Sequence, residues 1–496
     1  MSEASEQEDL ERNCREILAK NPGDPAGLNL VAILARRQGR IVDALRITAH
    51  AIRLHPHIAE FHANLGEFSR HANLMDQSIS AFERAIQLKP EEPTFHNGLG
   101  TVLAENRMYE KAVARYRRAI ELKPDYADAW NNLGGTLREL DRLSEAESAI
   151  GRAIQIEPNL ASAHSNLAIV LMDQQRFIEA IESFHRAIAA RPDYREAHHN
   201  LGMLHLLLGD FQRGWEEYQW RPITPLQIRQ PTWRGEDLRG KTIFLHAEQG
   251  IGDTIQLARF IPILQEKGAH VLIGCHPELS GLVGGLAQIV HRGDRFPPFD
   301  FYCPLLNVPM VLGTNVNNIP ARIPYLKADE ERSKLWRERL GPRKGNLRVG
   351  LAWAGSPKHA DDARRSIALE KFAPVLANPN IEFISLQVGP AGARAAQHGM
   401  VDFTSELRDF SDTAALVDQL DLVVTVDTAV AHLAGAMAKP TWVLLAKTPD
   451  WRWLLGRADS PWYPGLRLFR QERRGDWDAV IEAIAQKLPE FSHAPL

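Results

Sequence analysis

Along the first half of the chain, apolar and small residues recur with helical spacing, and the whole pattern resets every 34 residues. Prolines mark the reset at Pro56, Pro90, Pro124, Pro158 and Pro192, each closing a segment of the type A-I-x-L-x-P. A fixed period of this kind predicts stacked helix pairs, because one pair cannot bury its apolar face alone and must lean on the next. In the second helix of each pair, Ala44, Ala112, Ala146 and Ala180 share one position, and Ala51, Ala85, Ala119, Ala153 and Ala187 lie one face further on. Small side chains at those places let neighbouring helices approach closely.

After Gly214-Trp215-Glu216-Glu217-Tyr218 the period fails, and Arg221 to Gly240 carries three prolines and two glycines without helical spacing. From Lys241 the rhythm becomes strand then helix: TIFLHAEQ, a helix from about Asp253 to Lys267, HVLIGC, a helix near 277–285, and QIV. A second set runs LRVGLAWAG, a helix near 369–376, EFISLQV, a helix near 412–420, DLVVTVD, a helix from about Ala429, and TWVLL, with the segment near 325–345 joining the two sets. Such alternation predicts open parallel sheets, whose ligands lie beyond the carboxyl ends of the strands. The expected fold class is an all-α superhelix followed by an α/β region of two Rossmann-like halves. The expected divisions are a superhelix over 1–222, a linker over 223–240, and halves over 241–340 and 341–496. Within the superhelix, full repeats run from about Pro25 to Tyr194, a degenerate sixth covers 195–222, and Leu10 to Lys20 reads as a lone capping helix.

Composition narrows the function. With 44% hydrophobic and 24% charged residues over 496 positions, the chain is neither disordered nor fibrous. A net charge of −4 supplies no broad basic field, so nucleic acid is not an expected partner. Cys14, Cys275 and Cys303 are odd in number and scattered, which supports neither a disulfide framework nor a zinc site. The first residues, MSEASEQEDLER, are acidic, and no run of about 18 apolar residues occurs, so no membrane span and a cytoplasmic location are expected.

The chemistry concentrates at the strand ends. The strand DLVVTVD runs into Thr428-Ala429-Val430-Ala431-His432, a helix start with small residues where free amides suit a diphosphate. The other second-half strand ends in Trp353-Ala354-Gly355-Ser356-Pro357-Lys358, followed by Arg364 and Arg365, which offers close backbone approach, a hydroxyl and cations. In the first half, Gly250-Ile251-Gly252-Asp253 follows a strand, but Gln256 stands near the place of the third glycine of a dinucleotide fingerprint, so a nicotinamide enzyme is not expected. Asp450-Trp451-Arg452-Trp453 follows the last strong strand and reads equally as a donor contact or as packing. The one Asp-x-Asp, Asp476-Trp477-Asp478, opens the terminal helix, where capping is its expected task, so a metal is not expected.

Two family resemblances add to this reading. In the unit beginning at Ala127, the residues Trp130, Leu133, Gly134, Leu137, Ala146, Ile150, Ala153 and Pro158 resemble the tetratricopeptide repeat. Repeats ahead of a catalytic region resemble the O-linked N-acetylglucosamine transferases. That likeness implies an asparagine ladder, Asn64, Asn132, Asn166 and Asn200 with Asn97 and Asn131 one position earlier, gripping the backbone of a protein acceptor. Contacts between helices are the competing use of these amides. Over roughly 241–488 the Gly-Ile-Gly-Asp and Asp-Thr-x-x-x-His segments resemble lipopolysaccharide heptosyltransferases. This second likeness implies a GT-B fold and an inverting, metal-independent transfer from a nucleotide-sugar, which is a substrate, so no cofactor is expected.

By the same resemblance, Asp253 is the general base, with helix capping as its alternative, and His246 and Glu248 stand in reserve. Gly355, Ser356, Lys358, Arg364, Arg365, Gln387, Asp427, Thr428, Ala429 and His432 are the implied donor-binding residues. The whole arrangement resembles bacterial proteins that pair such repeats with such a catalytic region, some of which modify flagellin on serine or threonine. A protein acceptor, with flagellin a candidate, is the implied partner. The alternatives are a surface-glycan transferase and a non-catalytic adaptor. CMP-nonulosonate, UDP-sugar and ADP-heptose donors all stay open.

Overall fold

A computed structural model describes residues 17, 19–223, 226, 228–291, 293–343, 347–357 and 362–491. Most of the expected capping helix, Cys14 and Lys358 lie outside the described residues. Two compact units divide the chain, Met1–Ala197 and His198–Leu496.

The first unit is a run of helix pairs: α1 (Pro25–Arg37) with α2 (Ile41–Leu54), α3 (Ala59–His71) with α4 (Met75–Leu88), α5 (Pro93–Glu105) with α6 (Tyr109–Leu122), α7 (Ala127–Glu139) with α8 (Leu143–Ile156), and α9 (Ala161–Asp173) with α10 (Phe177–Ala190). Each alanine of the two sequence series is 0 or 1% exposed, as close helix contact requires. Gly134 shows why a glycine is needed between α7 and α8: a Cβ there would lie 2.3 Å from Ile150 Cγ1.

Two further features repeat with the sequence. The first helix of each pair ends at a residue in the left-handed region, namely Gly39, Asn73, Arg107, Asp141, Gln175 and Gly209, with φ between 58° and 85°. That conformation turns the chain sharply into the second helix. Near the start of the first helix, a ring N–H reaches back to a proline carbonyl six residues earlier: His62 to Pro56 at 3.0 Å, His96 to Pro90 at 2.8 Å, Trp130 to Pro124 at 3.0 Å, and His164 to Pro158 at 2.8 Å. The large residue at this position therefore does more than fill space. It satisfies a carbonyl left open where the preceding helix has ended.

The helix α11 (Arg195–Leu207) spans the boundary, and α12 (Phe211–Tyr218) belongs wholly to the second unit. There the first sheet holds β1 (Thr242–His246), β2 (His270–Gly274), β3 (Gln288–Ile289) and β4 (Phe301–Pro304) in the order β3-β2-β1-β4. The second holds β5 (Leu347–Ala352), β6 (Ile381–Ser385), β7 (Leu422–Val426), β8 (Thr441–Leu445) and β9 (Leu466–Arg470) in the order β6-β5-β7-β8-β9. Every strand pairing is parallel, and the two sheets with their helices form the two α/β domains of a GT-B-type region. The helix expected over 253–267 is instead α13 (Ile251–Leu257), a 3-10 turn, and a short helix Ile261–Glu266 whose start is set by Pro262.

Residues of the expected linker cover the edge of the first sheet: Trp233 N–H donates to Tyr302 O at 2.8 Å, and Tyr302 N–H donates to Pro231 O at 3.0 Å. α12 is anchored in the same unit. Trp215 Nε1 donates to Thr314 O at 2.9 Å, and the rings of Phe211, Trp215 and Tyr218 all pack against Trp451.

Candidate active site

α13 follows β1, and α14 (Ala429–Ala436) follows β7, so the two sheets present their strand-end helices to each other. The meeting point is Gly252, where a Cβ would lie 2.9 Å from His432 Cδ2 and 3.5 Å from Ala429 Cα. Only hydrogen fits, which explains the second glycine of Gly-Ile-Gly-Asp by packing alone.

Asp253 is the third residue of α13. Its Oδ2 accepts the Gly250 N–H at 2.9 Å, so it closes the helix start from N3, with Gly250 at the N-cap. The other oxygen, Oδ1, pairs with Arg452 Nη2 from the second sheet's side. Arg452 sits in the 3-10 turn Trp451–Trp453 beyond β8, and its remaining nitrogens reach Gln256 Oε1 at 2.7 Å and Asp450 Oδ1 at 2.8 Å.

Thr428 is the N-cap of α14, with Oγ1 accepting the Val430 N–H at 3.3 Å, and Ala429 begins the helix. Beside it the Asp427 carboxyl is pushed up to about 6 by burial and by the nearby Asp450, while Arg365 and Arg452 pull the other way. His432 is buried and stays neutral, since burial and the surrounding arginines disfavour its charged form; its Nδ1 shares a 3.0 Å hydrogen bond with the Tyr463 hydroxyl.

The loop after β5 is built around Gln387, whose Oε1 accepts the N–H groups of Trp353 at 3.0 Å and Ala354 at 2.8 Å. Gln387 is buried just beyond β6, so these bonds tie that strand end to the loop after β5. Gly355 N–H donates to Ser366 Oγ at 2.9 Å, and a Cβ on it would lie 2.7 Å from the Arg365 guanidinium. Arg364 and Arg365 close the short helix Asp362–Arg365, and Ser356 is exposed.

The reserve candidates lie elsewhere in the first half. The Glu248 side chain has no exposed surface: one oxygen pairs with Arg221 Nη2, and the other accepts the Leu305 N–H at 3.1 Å. It joins α12's exit to the first sheet and presents no carboxylate to the cleft. His246 ends β1 with its Nδ1 3.4 Å from the Tyr302 hydroxyl, and burial disfavours its charged form. Asp476 accepts the Ala479 N–H at 3.3 Å at the start of the terminal helix Asp478–Phe491. Among the described residues, no group of three or more His, Cys, Asp or Glu side chains stands together as a metal site.

In the first unit the asparagines form a ladder among themselves. Nδ2 of Asn64 donates to Asn29 Oδ1, Nδ2 of Asn132 donates to Asn97 Oδ1 at 3.1 Å, and Nδ2 of Asn166 donates to Asn131 Oδ1 at 2.9 Å. Each bond joins successive repeats. Asn131 also donates to Ser162 Oγ at 3.4 Å. Asn29 escaped the sequence reading, although it stands two periods before Asn97. Asn200 lies on α11 in the second unit, half-buried.

Residues 401–479 match glycosyltransferase family 9 (heptosyltransferase), and residues 29–93, 108–141, 127–160 and 165–219 match tetratricopeptide repeat families. The chain thus matches tetratricopeptide repeat models in its first part and a glycosyltransferase family 9 model over part of its second. It is similar to protein FlbA of Caulobacter vibrioides, 28% identical over 331 residues, which is 58% of this chain and 54% of that protein. The chain thus spans about half the length of that relative. Among solved structures it is similar to YrrB, described as a TPR protein with an unusual peptide-binding site, at 23% identity over 38% of this chain and 96% of that one, TM-score 0.30. It is also similar to PilW, described as a widely conserved type IV pilus biogenesis factor, at 18% identity over 39% and 90%, TM-score 0.37. No helix among the described residues is long and apolar enough to cross a membrane.

Sequence reasoning named Asp253, the residues after β7 and the run from Asp450 to Trp453, but gave Gln256 no role at the site and did not pair Asp450 with Arg452. Their signal was spacing: Gln256 is one helical turn beyond Asp253, and Asp450 precedes Arg452 by two residues.

Proposed function

We propose that this protein is an inverting glycosyltransferase that moves a sugar from a nucleotide-sugar donor to serine or threonine hydroxyls of a protein held by its repeats. The observation that supports this most is the meeting of Gly-Ile-Gly-Asp with Asp-Thr-Ala-Val-Ala-His at Gly252, in a chain that carries a peptide-binding type of repeat. Asp253 removes the proton of the acceptor hydroxyl while that oxygen bonds to the anomeric carbon. The bond from that carbon to the nucleotide's phosphate oxygen breaks, and its electron pair leaves on that oxygen. Amides at the start of α14, with Arg364 and Arg365, meet the charge that develops there, so this reading needs no metal. One displacement with no enzyme nucleophile inverts the anomeric centre.

The test has two parts. Purified full-length protein is incubated with UDP-, ADP- and CMP-sugars and nucleotide release is measured. Proteins co-purifying with it from cells that carry either the native residue or Asp253→Ala are then weighed intact. A sugar-sized mass on a retained partner, lost with Asp253→Ala, is the expected result; no such difference on any partner sinks the protein-acceptor reading. Flagellin is the first partner to weigh. The heptosyltransferase description of the matched family favours a second reading, transfer to a surface glycan. In that case the missing mass appears on a saccharide.

A further inference from the structure

We propose that Arg452 is a positioning residue for the transfer, holding the Asp253 carboxylate at the angle from which it takes the acceptor proton. This rests on Asp253 being the base. The guanidinium is buried, and a buried guanidinium is tolerated only when its N–H groups are satisfied. Here each of its three nitrogens has a separate acceptor: Nε has Gln256 Oε1 at 2.7 Å, Nη1 has Asp450 Oδ1 at 2.8 Å, and Nη2 has Asp253 Oδ1. Its plane also lies 4.3 Å from the Trp451 ring.

Asp253 and Gln256 stand three residues apart on one side of α13, so a single planar fork fixes both the helix and the carboxylate. Behind the fork, Asp450 accepts both the guanidinium and the Arg452 backbone N–H, the latter at 3.0 Å, which ties the arginine to its own turn. Asp253 is therefore fixed from two directions, by Gly250 of its own half and by Arg452 of the other.

The exposures separate positioning from simple stapling. The Arg452 side chain is 7% exposed, but Asp253 keeps 22%, so its carboxylate stays open to an incoming hydroxyl after both of these contacts are made. A staple would seal both partners.

The experiment measures nucleotide release by the full-length protein from UDP-, ADP- and CMP-sugars, with kcat and donor KM determined on the class that turns over. Arg452→Ala is expected to lower kcat about 100-fold, the scale of a misplaced catalytic group, and to leave donor KM within about threefold. Arg452→Lys recovers part of kcat, since it restores charge without the fork, and added guanidinium chloride rescues Arg452→Ala but not Asp253→Asn. Asp450→Asn, which leaves the arginine in place, gives a smaller fall in kcat and keeps the proposal testable if Arg452→Ala does not fold. An unchanged kcat in the Arg452 variants, or a loss carried wholly by KM, overturns the positioning role. Native turnover by Asp253→Asn, or no turnover of any of the three donor classes, overturns the reading of the site itself.

Discussion

Gly252 and His432 face each other so closely that the 2.9 Å left for a Cβ at residue 252 is shorter than any relaxed carbon contact. The two α/β domains of the second unit are pressed together there, on a neutral imidazole that is itself held by Tyr463. Gly252→Ala is expected to destabilise this unit by about 1–3 kcal/mol, the scale of overpacking. Calorimetry should show one of its melting transitions fall while the repeat transition stays. Equal melting of variant and native protein would contradict the contact.

The left-handed helix ends offer a gain in the other direction. Arg107 and Gln175 hold φ of 58° and 62° without the freedom of glycine. The left-handed region costs a side-chain-bearing residue about 1–2 kcal/mol, partly offset by the larger unfolded-state entropy of glycine. Arg107→Gly and Gln175→Gly should each stabilise the repeats by about 0.5–1 kcal/mol in urea unfolding, and Gly39→Ala should do the reverse.

His199 lies on α11, its ring 5.2 Å from Tyr218, and burial together with Arg221 lowers its pKa to about 4, with Asp450 acting the other way. In an unfolded chain it titrates near 6.5. Between those values the unfolded state binds the proton and the folded state does not, so this residue's contribution is intact above pH 6.5 and is lost as pH falls toward 4. Asp427, pushed up to about 6, works oppositely over the lower part of that window, because its folded form takes up the proton first. The difference between native protein and His199→Gln isolates the histidine. From pH 7 to pH 5 the native protein should lose stability faster than the variant, and parallel curves would exclude the effect.

The asparagine ladder predicts coupling along the repeats. Asn97 and Asn132 are joined at 3.1 Å across one repeat boundary. Each alanine substitution should cost about 1 kcal/mol, and the double variant should cost less than the sum, with a coupling of about 0.5–1 kcal/mol. Strict additivity would mean that the bond adds nothing.

The repeats were legible because their rule is local and recurs: the prolines and alanines at period 34 mark helix ends and close contacts that the structure places at the same spots. The parallel sheets were legible for a similar reason, as apolar strand runs such as LVVTV become buried central strands. The pairing of Glu248 could not be read, since its partner Arg221 lies 27 residues away, beyond the point where the repeat pattern fails. Nor could the grip of Arg452 on Asp253, which joins residues 199 apart through packing that no periodicity encodes.

The anchoring of α12 on Trp451 bears on how such proteins diversify. Helix pairs upstream of Ala197 contact their neighbours through a repeated set of small residues, so pairs can be gained, lost or exchanged while the joints remain the same. The last pair has no such freedom. Trp215 and Tyr218 are committed to the turn that carries Arg452, so a chimaera that takes a new repeat array must keep this final pair with its α/β region.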